Sequence, residues 1–114
     1  MIMNKTKNIV LGKNSIIRKT PLQLSTGLMF RKKLSDEGMV FFLDENKKTS
    51  FHMFFVFFPI DIIFLDENNK IVDMKENFKP FRIYNSKQKA KYAVELPDGT
   101  IKKTQTGIGD EVEF

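Results

Sequence analysis

The sequence predicts a mainly β fold, a small antiparallel sandwich or barrel of jelly-roll-like type with one short helix near the N-terminus. Three observations predict it. Short apolar or alternating runs recur with turn residues every eight to twelve positions, the spacing of strands in a sandwich or barrel. Only one segment has both the caps and the apolar spacing of a sizeable helix, so helices for crossovers between parallel strands are lacking. The 114 residues fit one domain, long enough to bury roughly two thirds of the surface the unfolded chain exposes.

Along the chain, Ile9-Val10-Leu11 and Ser15-Ile16-Ile17 flank Gly12-Lys13-Asn14 and read as a hairpin. Residues 1–19 thus form a basic segment with short strands, part of the same domain as residues 20–114. The helix is expected over Thr20 to Phe30: Thr20 can cap, Pro21 suits the first helical position, Leu24 and Leu28 share a face, and Arg31, Lys32 and Lys33 favour the C-terminal end. Met39 to Leu43 reads as a buried strand ended by Asp44-Glu45-Asn46.

The most apolar stretch, Phe51 to Asp66, holds half of the twelve phenylalanines and the only histidine. It reads as two strand segments, Phe51 to Phe58 and Ile60 to Leu65, separated by Pro59, which cannot donate to a ladder. In the second, Ile60, Ile62 and Phe64 fall on one face and Asp61, Ile63 and Leu65 on the other. A hairpin turning at Asn68-Asn69 then leads into Lys70 to Lys75. Phe-Leu-Asp-Glu-Asn occurs at 42–46 and again at 64–68, read as two strand exits with the same turn chemistry. Glu76 to Lys87 is expected to be a long loop pinned by Phe78, Phe81 and Tyr84. Gln88 to Leu96 alternates as a half-exposed strand, Pro97-Asp98-Gly99 turns, Thr100 to Thr106 makes a helical turn ending at Gly107, and Glu111 to Phe114 is the last strand.

Composition excludes several chemistries. Without cysteine there are no disulfides, thiolate catalysis, Cys-ligated zinc or iron–sulfur clusters, and one histidine cannot build a multi-histidine metal site. No metal and no cofactor are expected. Residues 51–66 are too short for a membrane span and carry Asp61 and Pro59. The early apolar run Ile9 to Leu11 is far short of a signal-peptide core, so a cytoplasmic monomer is expected. Net charge is +5, and residues 1–33 carry eight Lys or Arg and no acid, against eleven basic and fourteen acidic residues in 34–114. A basic N-terminal third permits polyanion contact, but a solvated surface outweighs it.

Polar residues in apolar strands are the candidates for chemistry. His52 lies within the core stretch, where it serves as a packed histidine or as a base or ligand anchor. Asp61, in Ile-Asp-Ile-Ile, needs a partner if buried: either a structural one such as Arg31 or a backbone anchor, or a role as an acid/base group. Glu95 in Val-Glu-Leu-Pro poses the same question. No Gly-x-Ser-x-Gly elbow or phosphate loop is present.

Gly27-Leu28-Met29-Phe30-Arg31, Gly38-Met39, Phe51-His52-Met53, Pro59 to Asp66, Glu95-Leu96-Pro97-Asp98-Gly99 and Gly109-Asp110 stand in this order. Together, over Thr20 to Phe114, they resemble the family called domain of unknown function 192. The resemblance implies a small sandwich or jelly-roll-like β domain with a helix and no established activity, and it marks Arg31, Asp61, Glu95 and Asp110 as family-type polar positions.

The functional expectation is a non-enzymatic module for a small ligand or a protein, bound near Arg31, His52, Asp61, Phe81 and Tyr84 in a groove beside the 76–87 loop. The alternative is a hydrolase or lyase-like enzyme using His52 with Asp61 or Glu95. A third reading is nucleic-acid binding by the basic N-terminal third.

Overall fold

A computed structural model describes residues 1–18, 36–47, 50–52, 58–79 and 82–114, with the side chains of residues 18, 44–47 and 50–52 left aside. The described residues form ten strands, β1 Ile2–Asn4, β2 Ile9–Gly12, β3 Asn14–Arg18, β4 Glu37–Lys47, β5 Ser50–His52, β6 Ile60–Leu65, β7 Ile71–Phe78, β8 Ile83–Asn85, β9 Ala90–Pro97 and β10 Val112–Glu113. One five-residue helix among the described residues, α1, spans Thr100–Thr104. The strands form a five-stranded sheet β3-β4-β9-β6-β7, a three-stranded sheet β10-β1-β2 and the pair β5-β8.

The five-stranded sheet is the middle layer, because its central strands are apolar on both faces. β6 is buried at every position. Ile60, Ile62 and Phe64 join Met39, Phe41, Phe78 and Ala93 in one core, and Ile63 and Leu65 join Val40, Val94 and Leu96 in the other. The face division read from alternation therefore holds, and it serves two cores. Ile2, Leu11 and Val112 from the three-stranded sheet, with Ile101 of α1, cover the second core. Tyr84 of β8 packs on the first.

β9 is central, hydrogen-bonded to β4 and β6. The half-exposed strand expected there is instead buried from Ala93 to Leu96, because neighbours and covering layers lie on every side; Lys89 and Lys91 stay exposed at its start. At the rim of the second core Phe42, Tyr92 and Phe114 meet edge to face, with ring centroids 5.0 to 6.0 Å apart. That contact anchors the C-terminus.

Several expectations are corrected. Residues 9–11 and 15–17 do not form a hairpin. β2 pairs with β1, while β3 pairs with β4 in parallel, residues 19–36 providing the length a parallel connection needs. The sheet is thus not wholly antiparallel. The helix among the described residues stands near the C-terminus rather than the N-terminus; the segment Thr20 to Phe30 lies outside the described residues. The helical turn at Thr100 is present but ends at Gln105, in the left-handed region with φ 56°, and not at Gly107. Residues 76–78 continue β7, and 83–85 form β8, so the long loop expected over 76–87 is interrupted by two strands. The two copies of Phe-Leu-Asp-Glu-Asn also differ. At 64–68 the chain leaves β6, and Asp66 accepts the amides of Asn68 and Lys70 at 2.8 and 3.0 Å. Its copy at 42–46 stays within β4, where the ladder to β9 shifts register between Phe42 and Lys47.

The β6–β7 hairpin turns at Asn69, φ 61°, as the Asn pair predicts. One close approach suits glycine: an added Cβ at Gly12 would stand 3.1 Å from the Gly38 backbone nitrogen, a tight contact against backbone. β2 therefore lies against the start of β4 with no side chain between.

Candidate functional site

Asp61 faces the second core, opposite Leu96 on β9, and is fully buried. Its Oδ2 accepts the Ile101 amide of α1 at 2.8 Å and its Oδ1 the Asn77 amide of β7 at 3.0 Å. Both amides are orphans of local geometry. Ile101 is in the first turn of a helix whose N-cap, Gly99, has no side chain to offer. Asn77, φ 48°, lies in a bulge of β7 opposite Asp61. Asn77 Nδ2 in turn donates to Asp98 Oδ1 at 2.9 Å. Asp61 is a backbone anchor, one of the two structural roles its sequence context suggests; Arg31 lies outside the described residues.

Glu95 takes the other face. It sits opposite Met39 and Ile62 on the central strand, 6% exposed, and its buried Oε1 has no hydrogen-bond partner. Burial pushes its carboxyl up to about 8, so it is mostly protonated at neutral pH. Because Asp61 and Glu95 point to opposite faces of one sheet, they do not act as a carboxylate pair.

His52 ends β5, opposite Ile83. The topology puts it on the two-stranded sheet while Asp61 and Glu95 sit on β6 and β9. Phe81 lies outside the described residues. Tyr84 stacks on Phe64 with centroids 5.9 Å apart and donates its hydroxyl to Asp73 Oδ1 at 2.9 Å. Burial, then the hydrogen bond and the charge of Asp73, push its phenol up to about 12. Asp73 also accepts the Met74 and Lys87 amides at 2.8 and 2.6 Å. Asp73 thus fastens β8, through Tyr84, and the following turn, through Lys87, to β7.

Asp110 is the hub of a polar cluster that ties both ends of the chain. Its Oδ2 accepts Lys7 Nζ at 2.7 Å, Asn4 Nδ2 at 2.9 Å and the Gly107 amide at 2.9 Å. Burial alone would raise its pKa; these three donors, with the charge of Lys7, outweigh burial and lower it. Asn4, fully buried, also donates to Thr106 Oγ1 at 3.1 Å. Sequence reasoning did not single out Asp73, Asn4 or Thr106. For Asp73 the signal existed: it stands among Ile71, Val72 and Met74 as Asp61 stands among isoleucines.

The described residues also frame a groove of about 530 Å³ whose lining includes neither His52 nor a residue of the 76–87 segment. Ile9 to Lys13 of β2 and its turn form one wall; Pro97 to Thr100, with Lys103 and Thr104 of α1, form the other, and Asp36 closes an end. Asp61 holds α1 in place through Ile101, so its structural bond also shapes this groove. No group of three or more potential metal ligands occurs among the described residues, and none of their helices is long and apolar enough to cross a membrane.

The family model and the curated relatives agree on one family. The model of the DUF192 family, described as Uncharacterized ACR, matches residues 5–114. A UPF0127 protein of Thermococcus sibiricus is 37% identical over 116 residues, covering 100% of this chain and 74% of its own. A UPF0127 protein of Pyrococcus horikoshii is 33% identical over 114 residues, covering 100% and 98%. A crystal structure of a protein of unknown function from Novosphingobium aromaticivorans superposes with a TM-score of 0.90 over 99% of this chain and 82% of that one, at 24% identity, and shows the same fold. A second crystal structure, titled a putative transcription regulator from Sinorhizobium meliloti, superposes with a TM-score of 0.82 over 87% of this chain and 79% of that one, at 29% identity. With a family match over nearly its whole length and full-length relatives above 30% identity, the chain belongs to the DUF192 family, the UPF0127 proteins.

Proposed function

We propose that the protein is a non-enzymatic binding module, and that the groove between β2 and α1 holds its ligand, a small molecule or a segment of protein. The observation that carries this reading is the groove itself, about 530 Å³ with an apolar wall of Ile9, Val10 and Leu11 and polar groups along its rim, the make-up of a recognition site. The fate of the buried aspartates supports it: each of Asp61, Asp73 and Asp110 is engaged in bonds that hold the fold. A fragment library titrated into labelled protein should give saturable amide shifts over Ile9–Lys13 and Gly99–Thr104. A library that leaves both segments unmoved at millimolar concentration would remove the reading.

One observation favours a second reading, a hydrolase or lyase-like enzyme using His52 with Glu95. A carboxyl held protonated at neutral pH has the form a general acid needs. Turnover of ester or elimination substrates that disappears in Glu95→Gln while the fold persists would support it. Nucleic-acid binding has less behind it: of the eight basic residues before position 34, Lys7 is bonded to Asp110 and Lys5 lies 3.5 Å from Glu111.

A further inference from the structure

We propose that Asp98-Gly99 is a site of spontaneous covalent modification, at which the folded protein converts its own aspartate into an isoaspartyl link. Asp98-Gly99 is the only Asp-Gly pair in the chain, and no Asn-Gly occurs. A backbone amide can attack the carboxyl of the residue before it and close a five-membered ring, an intramolecular step that needs no encounter with a second molecule. Glycine on the attacking side brings no side chain to crowd that ring. Both residues are exposed, in the turn that leads from β9 to α1.

The fold equips this pair in three ways. Among the described residues no carbonyl accepts the Gly99 amide, so no hydrogen bond has to break before its nitrogen attacks. The turn stands in open space: an added Cβ at Gly99, φ 88°, would meet nothing within 4 Å, which leaves room for the ring. Asn77 Nδ2 donates to Asp98 Oδ1 at 2.9 Å. As the Gly99 nitrogen adds to Cγ, negative charge gathers on that oxygen, so Asn77 is an oxyanion donor already in place. Asn77 is itself held by its main-chain amide, which Asp61 accepts at 3.0 Å. The other aspartates differ. Asp61, Asp73 and Asp110 are buried and accept main-chain amides, and Asp36, Asp44 and Asp66 are each followed by glutamate.

In the first step the Gly99 N–Cγ bond forms and the Cγ–Oδ2 bond of the protonated carboxyl breaks. The hydroxyl leaves as water with the amide proton. A water molecule then adds to the main-chain carbonyl carbon of Asp98, and the bond from that carbon to the Gly99 nitrogen breaks. The product keeps the mass of the original chain. It carries a free α-carboxylate at position 98 and a main chain that runs through Cβ and Cγ, longer by one methylene. The added length falls just ahead of the Ile101 amide that Asp61 accepts at 2.8 Å. The modification therefore loosens that cap and shifts the wall of the groove formed by Gly99, Thr100, Lys103 and Thr104.

The test ages the full chain in mildly acidic buffer under native conditions. The Asp98 peptide is then released by digestion and fragmented by electron transfer, which tells isoaspartate from aspartate. A second form of equal mass is expected at position 98, about tenfold above any other aspartate. Asp98→Glu, whose longer side chain needs a larger ring, should give none. Asn77→Gly keeps the positive φ and the main-chain amide for Asp61, and should slow the reaction about tenfold. In the aged fraction the Ile101 amide should exchange about tenfold faster. Isoaspartate absent from the native chain, isoaspartate formed only in urea, a rate in Asn77→Gly equal to or above that of the wild type, or Ile101 protection that survives the modification would each overturn the proposal.

Discussion

The carboxylate of Asp61 caps the amide of Ile101, forty residues away in sequence, at 2.8 Å. A residue on the central sheet therefore fixes where the last helix begins, and with it one wall of the groove.

Removing that carboxylate leaves the buried Ile101 amide and the part-buried Asn77 amide without their protein partner. Asp61→Ala should cost about 3–5 kcal/mol, measured by denaturant unfolding. Asp61→Asn, which keeps one acceptor and turns a donor towards the second amide, should fall between. Hydrogen exchange at Ile101 and Asn77 should rise in both. Stability unchanged in Asp61→Ala would show that the cap contributes nothing.

Glu95 should make stability depend on pH. Its carboxyl is pushed up to about 8 in the folded protein against an ordinary value of 4.5, so folding takes up a proton between those values. Stability then falls as pH rises through that window and levels off above it, with a slope of up to about 1.4 kcal/mol per pH unit. Glu95→Gln should lack this component. Melting temperatures of the two proteins should converge towards pH 4 and diverge in favour of the variant towards pH 8. Parallel curves would mean that Glu95 is ionised within the fold.

Asp110 should act in the opposite sense. Its folded pKa is lowered, so its contribution is present above the ordinary carboxylate range and is lost as pH falls through the folded value. Asp110→Asn should destabilise at neutral pH by about 2–4 kcal/mol, and the gap to the wild type should close in acid. Because Asp110 holds Asn4 and Lys7, exchange in β1 should rise first.

Tyr84→Phe keeps the ring on Phe64 and removes one of three donors to Asp73. The cost should be about 1 kcal/mol, read from chemical denaturation, and the phenolate absorbance that the variant lacks should be a component developing near pH 12. Early titration of Tyr84, well below that, would mean the Asp73 bond is absent.

How far the sequence alone reaches is clear at particular residues. Alternation along Ile60 to Leu65 is a local property of extended chain, and it separates the two cores as observed. The Asn68-Asn69 turn is likewise local, because Asn tolerates the positive φ that Asn69 adopts. Asp61 and Glu95 announce themselves as polar residues among apolar ones. Their roles are not written there. Which orphan amides lie beside Asp61 depends on α1 and β7 packing against β6, and the missing partner of Glu95 depends on β9 lying between β4 and β6.

Pairing shows the same division. Ile9-Val10-Leu11 and Ser15-Ile16-Ile17 look like one hairpin because nearness in sequence favours local pairing. In the folded chain they part into two sheets, where Gly12 meets Gly38 closely and β2 lines the groove. The sequence by itself determined a β-rich, cysteine-free domain of the DUF192 type, its strand faces and its anomalous acids, since these follow from residue type and period. Only the tertiary structure decided which acid is anchored and which is left neutral, since each depends on groups brought together from distant positions in the chain.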